Sequence, residues 1–408
     1  MRRYRARLLQ LTAASAVTAL AVAGCSSGGA STTSSSGTTP IVIGFTEPLT
    51  GDFSADGEAS LRGYQLWASD VNSHGGLLGR PVKLKWLDNK SDPKTTGSEY
   101  TQLITQDHVN FTLAPFSSLL TIPAAQATEA HKYILPAGSA GAPAVYTVNG
   151  RGADPYLLST TAPVENQMVP FANWVKSLPA NEQPKTAAYP MVSDPFADPP
   201  VQKVQSLLQA NGVRTVYSSA AHPITNSNLT PYANQVAAKR PDLVVLGSVD
   251  VPTVLAFIHV FEHQRYTPKM FIAASGPDQG AEFLNHVGTP NAEAIMVPNG
   301  WYGGEQNALS HVMVQDYIAK AEAYSAGEAL AAGITATHSL EQGTINQYLH
   351  SHTVQTVTGP ARFAPNGRNE RGGDLIFQWQ GGRFNPVLPT NPPGTPAIEP
   401  FKPAWQVG

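Results

Sequence analysis

From residue 41 the chain alternates between two hydrophobic periods. Ile41–Phe45 is a short apolar run of strand type. Leu61, Tyr64, Trp67, Ala68 and Val71 then recur at helical spacing. Gly75-Gly76 closes that helix, because glycine enters the left-handed backbone region without strain. Val82, Leu84 and Trp86 alternate with Lys83 and Lys85, which predicts a strand with one buried face. Next come a helix through Tyr100, Leu103 and Ile104, a strand at Phe111–Ala114, a helix over about Thr121–His131 and a strand at Tyr133–Pro136. A second series begins near residue 165: helix Gln167–Leu178, strand Thr186–Met191, helix Val201–Asn211 and strand Val213–Ser218. It continues with helix Pro231–Lys239, strand Leu243–Leu246, helix Thr253–His263 and strand Met270–Ala273. Strands alternating with helices predict parallel sheets covered on both faces. Two such sets predict two lobes with a cleft between them, and ligands of open α/β sheets sit beyond the carboxyl ends of the strands. Residues 386–403 hold seven prolines and read as an extended tail, lying on the surface or free.

The N-terminal segment follows neither period. Arg2, Arg3, Arg5 and Arg7 precede a mostly apolar run from Leu8 to Gly24, with no acidic residue before Cys25. A basic start, a short apolar segment and small residues at its end describe an export signal. Val22-Ala23-Gly24-Cys25 resembles a bacterial lipobox, in which cleavage precedes a cysteine that carries lipid; the alternative is a chance buried thiol. Thirteen of the fourteen residues 26–39 are Ser, Thr or Gly, a flexible tether spanning roughly 20 Å. The body is therefore expected to be held near a membrane surface.

Composition narrows the function classes. One cysteine excludes a disulfide scaffold and a Cys-rich structural zinc site. A formal charge of −3 argues against a nucleic-acid partner. Losing residues 1–24 removes four arginines and no acid, leaving 22 basic against 29 acidic residues, or −7. No run of 20 apolar residues follows residue 30, which excludes a polytopic membrane protein.

The chain has no P-loop, G-x-G-x-x-G or G-x-S-x-G sequence. His259-Val260-Phe261-Glu262-His263 fits the inverted zinc-peptidase pattern H-x-x-E-H. Against that reading, Leu255, Ile258 and Phe261 already supply the buried stripe, which leaves the histidines and Glu262 on an exposed helix end. Ser117-Ser118 stand between a predicted strand and a helix, where free N–H groups and the helix dipole favour an anionic or polar oxygen, unless one serine only caps the helix. Pro136-Ala137-Gly138-Ser139-Ala140-Gly141 forms a second turn of small residues, either an ordinary loop or one that lets backbone approach a ligand.

Five stretches between about residues 41 and 385 resemble the leucine/isoleucine/valine-binding family of solute receptors that serve ABC importers. They are the opening IGFTEPLTGDFSADGEASLRGYQLW; Asp70-Val71-Asn72-Ser73-His74-Gly75-Gly76-Leu77-Leu78-Gly79-Arg80; Asp88 with Ser91-Asp92-Pro93; Ser117-Ser118 with Pro123-Ala124; and Gly359-Pro360-Ala361-Arg362-Phe363 with Asn366-Gly367 and Phe377-Gln378-Trp379.

The resemblance implies an α/β fold of two Rossmann-like lobes, the type I periplasmic-binding-protein fold, joined by three crossovers. Lobe I is expected over 40–160 plus 299–373, and lobe II over 161–298 plus 374–388. The signal covers 1–24, the tether 25–39 and the tail 389–408. Crossings are expected near Leu158–Thr161, Pro298–Trp301 and Asp374. The resemblance places a ligand carboxylate on Phe116, Ser117 and Ser118, and its neighbour groups on Ser139 and Gly141. It places an aromatic lid at Phe196, the position of a family tyrosine at Val249, the position of an ammonium-pairing acid at Ser275 and an entrance aromatic at Asp56. The expected ligand is a small polar solute: a branched-chain amino acid, with Asp56, Asp250 or Asp278 as the replacement acid, or else an amide, urea-like solute or organic acid. Val312–Tyr324 is about ten residues shorter than in the family, a change expected in a first-lobe helix and not in the cleft. The expected protein is a monomeric, non-enzymatic solute receptor without cofactor or metal, lipid-anchored through Cys25 and docking on ABC permease subunits. The alternatives are a sensor of the same fold and a zinc peptidase.

Overall fold

The computed structural model describes residues 39–150, 156–222, 228–299, 318–370, 375–390 and 394–406. The leader, Cys25 and its tether, Trp301, residues 312–317 and Asp374 lie outside the described residues.

The first lobe opens with β1 (Ile41–Glu47), α1 (Ser54–Ser73), β2 (Val82–Asp88), α2 (Pro93–Thr105), β3 (Phe111–Thr112), α3 (Ser118–His131), β4 (Leu135–Ala137) and β5 (Leu157–Ser159). β1 is central in a parallel sheet of order β2-β1-β3, and Ala114 N donates to Pro136 O (3.0 Å) to continue it toward the parallel pair β4-β5. The helix stop at Gly75-Gly76 has a steric cause. Gly76 sits at φ +79°, and a Cβ there would lie 2.0 Å from Arg80 O. Leu77 and Arg80 exchange backbone hydrogen bonds of 2.9 and 3.0 Å across the resulting loop. At the end of β2 the Asp88 carboxylate accepts from Leu49 N (3.0 Å), Thr50 N (3.2 Å) and Thr50 Oγ1 (2.8 Å), fixing the Pro-Leu-Thr-Gly turn. Asp92 caps α2 by accepting from Thr95 N (2.6 Å). The period-two reading of β2 fails at its end. β2 is an edge strand, and Trp86 is 40% exposed, stacked beside Phe45 at 6.3 Å.

The second lobe runs through α4 (Val169–Ser177), β6 (Thr186–Val192), α5 (Asp198–Ala210), β7 (Arg214–His222), α6 (Thr230–Lys239), β8 (Leu243–Leu246), α7 (Val251–His263), β9 (Met270–Ala273), α8 (Gly280–Val287), the single turn α9 (Thr289–Ala292) and β10 (Ile295–Asn299). Three of these helices, α5, α6 and α7, start one to three residues before the apolar periodicity does. Pro199, Pro231 and Pro252 occupy their first turns, where proline's fixed φ suits the helix and its missing N–H costs nothing. The chain then returns to the first lobe with α10 (Ile318–Thr337), α11 (Gln342–Ser351) and the hairpin β11 (Val354–Thr356)–β12 (Gly359–Ala361). β13 (Leu375–Gln380) and β14 (Arg383–Leu388) complete a seven-stranded sheet of order β14-β13-β10-β9-β8-β6-β7. That sheet is parallel from β7 to β10 and antiparallel at β13 and β14.

Each sheet has its own core. Phe45, Tyr64, Trp67 and Phe111 pack with Ala326, Leu330 and Ile334 of α10 around the first. Val201, Val204 and Leu208 of α5 cover one face of the second sheet, and Val254, Phe257 and Phe261 of α7 the other. The connections between lobes are tied to one another: Ser159 N donates to Gly367 O (2.9 Å), Asn369 Nδ2 to Thr160 O (2.8 Å), and Arg368 pairs with Glu165. The Asn366-Gly367 element therefore lies at a crossing. Residues 394–406 of the proline-rich tail lie extended on the second lobe, and Trp405 is 8% exposed within its core.

Candidate functional site

The turn after β3 sets one wall of the cleft. Ser117 takes φ 77°, an unusual backbone for a non-glycine residue, and its Oγ accepts from Leu120 N (3.3 Å) to cap α3. That backbone turns Ser117 and Phe116 into the cavity and Ser118 away from it. Ser118 is fully buried, and its Oγ accepts from Ala142 N (3.3 Å), binding this turn to the next. Ser118, expected to line the cleft, is thus a brace behind it. Behind the same turn lies Glu47, whose carboxyl accepts from Ser60 Oγ (2.6 Å) and Phe116 N (2.9 Å). Burial pushes the Glu47 carboxyl up to about 8 against the lowering effect of these two bonds. The Phe116 N–H is therefore already engaged within the protein.

The second turn brings Ser139 and Gly141 to the cavity. Ser139 Oγ donates to Glu322 Oε2 (2.5 Å). Glu322 belongs to α10 and lines the cavity. Gly138 permits this approach, since a Cβ there would stand 2.2 Å from Glu322 O. The sequence offered no signal for Glu322, because its partner is 183 residues away.

From the second lobe come Phe196, Val249, Ser275 and Asp278. Asp194 positions Phe196 by accepting from Phe196 N (2.7 Å) and Ala197 N (3.2 Å). Ser275 donates to Asp278 Oδ1 (3.1 Å), and Gly276 N donates to the same oxygen (2.7 Å). The carboxyl absent at position 275 thus reappears three residues on. Trp379 Nε1 donates to Pro277 O (2.8 Å) and holds that turn. Asp250 does not line the cavity; its Oδ1 accepts from Thr253 N (2.7 Å) and caps α7. Between the lobes, Gln279 Nε2 of the second donates to Asp56 Oδ2 of the first (2.8 Å). Thr160, Thr161 and Asn299 of the crossings and Gln167 of the second lobe also line it.

The electrostatics are one-sided. Asp56, Asp278 and Glu322 face one cavity, and its described lining contains no Lys, Arg or His. Burial, reinforced by Asp278, Asp250, Glu282 and Glu322, holds the Asp56 carboxyl well above the usual range. Burial raises Asp278 to about 6 despite the bonds from Gly276 and Ser275. It raises Glu322 to about 8 despite Ser139, with Asp278 adding to the effect.

The H-x-x-E-H segment does not assemble a metal site. His259 and His263 are exposed on α7, while Glu262 Oε1 accepts from Asn291 Nδ2 (2.7 Å). Among the described residues no cluster of three or more His, Cys, Asp or Glu is arranged to hold a metal ion. Nor is any described helix long and apolar enough to cross a membrane.

A family model described as periplasmic binding protein matches residues 40–383. A Leu/Ile/Val-binding protein of Rhizobium johnstonii is 21% identical over 360 residues, covering 84% of this chain and 93% of the relative. The branched-chain amino acid transporter substrate-binding protein LivJ of Streptococcus pneumoniae, in complex with isoleucine, superposes with a TM-score of 0.72 at 18% identity, covering 85% of this chain and 98% of the other. An ABC-transporter solute-binding protein of R. palustris, in complex with benzoate, superposes with a TM-score of 0.73 at 15% identity, covering 85% and 95%.

Proposed function

Because the chain belongs to the periplasmic binding protein family, we propose that it is the extracytoplasmic solute receptor of an ABC importer. In this reading Cys25 carries the lipid that holds it at the outer face of the bacterial membrane. The observation that carries the reading is a single cavity lined by strand-end turns of both lobes, which the Gln279–Asp56 hydrogen bond ties together. A ligand seated there touches both lobes at once, so it favours the closed arrangement by its differential affinity for it. The closed form is the one that docks on the permease, and no bond of the solute is made or broken. The ligand-binding residues in this proposal are Asp56, Phe116, Ser117, Ser139, Gly141, Phe196, Val249 and Ser275, joined by Asp278 and Glu322. The likeness to receptors carrying isoleucine and benzoate supports a small solute, with its identity set by side chains and not by the fold.

Native mass spectrometry of the purified protein tests the reading. A stoichiometric small molecule lost on denaturation is the expected result. Calorimetry against amino acids, amides, amines and organic acids follows, and failure of every small solute to bind overturns the receptor function. The anchor is tested separately: Cys25→Ser is expected to abolish metabolic lipid labelling, and continued labelling refutes it.

A further inference from the structure

We propose that the cleft takes a small organic cation, an aliphatic amine or guanidinium without a carboxylate; this rests on the receptor reading above and narrows it. Three observations converge. First, Asp56, Asp278 and Glu322 come from both lobes to one cavity whose described lining has no basic residue. Carboxyls gathered away from water without a counter-charge are costly, and a ligand cation is the partner the site lacks. Second, of the three residues on which the resemblance places a ligand carboxylate, Ser118 is turned away from the cavity. The Phe116 N–H that begins the Ser117 turn is already donated to Glu47 (2.9 Å). A zwitterion would also bring its carboxylate into a cavity already rich in carboxyls. Third, Thr161 Oγ1 belongs to a cavity-lining residue and is buried without any hydrogen-bond partner. The Thr161 hydroxyl oxygen can accept from an ammonium or guanidinium N–H. The net charge of −7 after residue 24 further favours the approach of cations.

The proposal fixes the sign of a pH effect. Burial holds Glu322 up to about 8, Asp278 up to about 6 and Asp56 well above its usual range, so these groups retain protons that a bare carboxyl would have lost. A cation stabilises the ionised forms, so its binding releases protons and tightens as pH rises toward 8. An anionic ligand, which needs the protonated forms, behaves in the opposite sense.

The test is calorimetry on the full-length protein in detergent with agmatine, putrescine, leucine and benzoate, at pH 5.5 and pH 8. The expected result is binding of agmatine or putrescine at least tenfold tighter than leucine or benzoate. That binding should tighten at least tenfold from pH 5.5 to 8. Proton release should appear as a heat that differs between buffers of different ionisation enthalpy. Glu322→Gln and Asp278→Asn should each weaken amine binding tenfold or more. Their ligand-free melting temperatures should stay at or above the parent's, which separates lost binding from lost folding. Tighter binding of leucine or benzoate than of both amines overturns the cation proposal and leaves the receptor function standing. If none of the four binds, the cation proposal also falls, and the native mass spectrum alone then decides the receptor function.

Discussion

Glu47 ends β1 fully buried, and its two hydrogen bonds join α1, through Ser60, to the turn at Phe116 that faces the cleft. Its carboxyl is held up to about 8, above the unfolded value near 4.5, so the folded protein retains a proton that the unfolded chain releases. Stability from that proton is fully present below about pH 4.5 and is lost as pH rises through about 8. Glu47→Gln keeps the shape and hydrogen-bonding capacity without the titration. The parent should lose a few kcal/mol more than the variant in urea-unfolding free energy between pH 5 and pH 8.5. Equal slopes for the two proteins would show that Glu47 is not the titrating group. Such residues mark where sequence reasoning stops. Position 47 reads as the end of a strand before Pro-Leu-Thr-Gly, but its partner Phe116 lies 69 residues on. The same limit separates Ser117 from Ser118: adjacent serines look alike, and only the backbone at Ser117 decides which faces the cavity. Asp92 was legible because its partner Thr95 is three residues on, whereas Asp88 was legible only as a strand end, since Leu49 and Thr50 lie in another stretch.

At the scale of elements, α10 links the first core to the site. Its apolar positions Ala326, Leu330 and Ile334 pack in the core with Trp67 of α1, while Glu322, near its start, reaches the cleft. The approach depends on Gly138, where any Cβ meets the Glu322 carbonyl at 2.2 Å. Gly138→Ala should push α10 outward, break the Ser139–Glu322 bond and cost about 1–3 kcal/mol, as overpacking does. Ligand affinity should fall with it. Gly97→Ala is the matched control, because its Cβ would meet Pro123 at an ordinary 3.5 Å within α2. Alanine there should stabilise by up to about 1 kcal/mol through helix propensity. Parallel thermal melts and ligand titrations distinguish the two, and a neutral Gly138→Ala would remove the steric argument for how Glu322 is placed. The order of strands and helices was legible because each period repeats within a few residues. Helix starts were read late because the periodicity begins with the first buried side chain, whereas proline and a capping Asp or Ser begin the helix earlier.

For the whole molecule, the two alternating series announced two lobes, but the tail's place could not be read from its prolines. Composition indicates an extended chain and says nothing of what it touches. Here side-chain amides do the holding. Gln378 donates to Glu399 O and accepts from Glu399 N, both at 2.8 Å, and Gln380 Nε2 donates to Ala397 O (2.6 Å). Beyond them Trp405 Nε1 donates to Tyr266 O (2.8 Å), and Lys402 Nζ lies 4.1 Å from the Trp405 ring centre. Asn291 exchanges hydrogen bonds with the backbone of Gln406. None of these tail partners lines the ligand cavity, so the tail supports the second lobe without reaching the cleft. Trp405→Ala removes the aromatic anchor and should destabilise by ~3 kcal/mol, the low end for a buried tryptophan, because the ring packs at the edge of its core. Calorimetric ligand affinity should stay within about twofold of the parent at temperatures where the variant is folded. A large loss of affinity in folded Trp405→Ala would mean instead that the tail transmits to the cleft, through Trp379 and the Pro277–Asp278 turn that it holds.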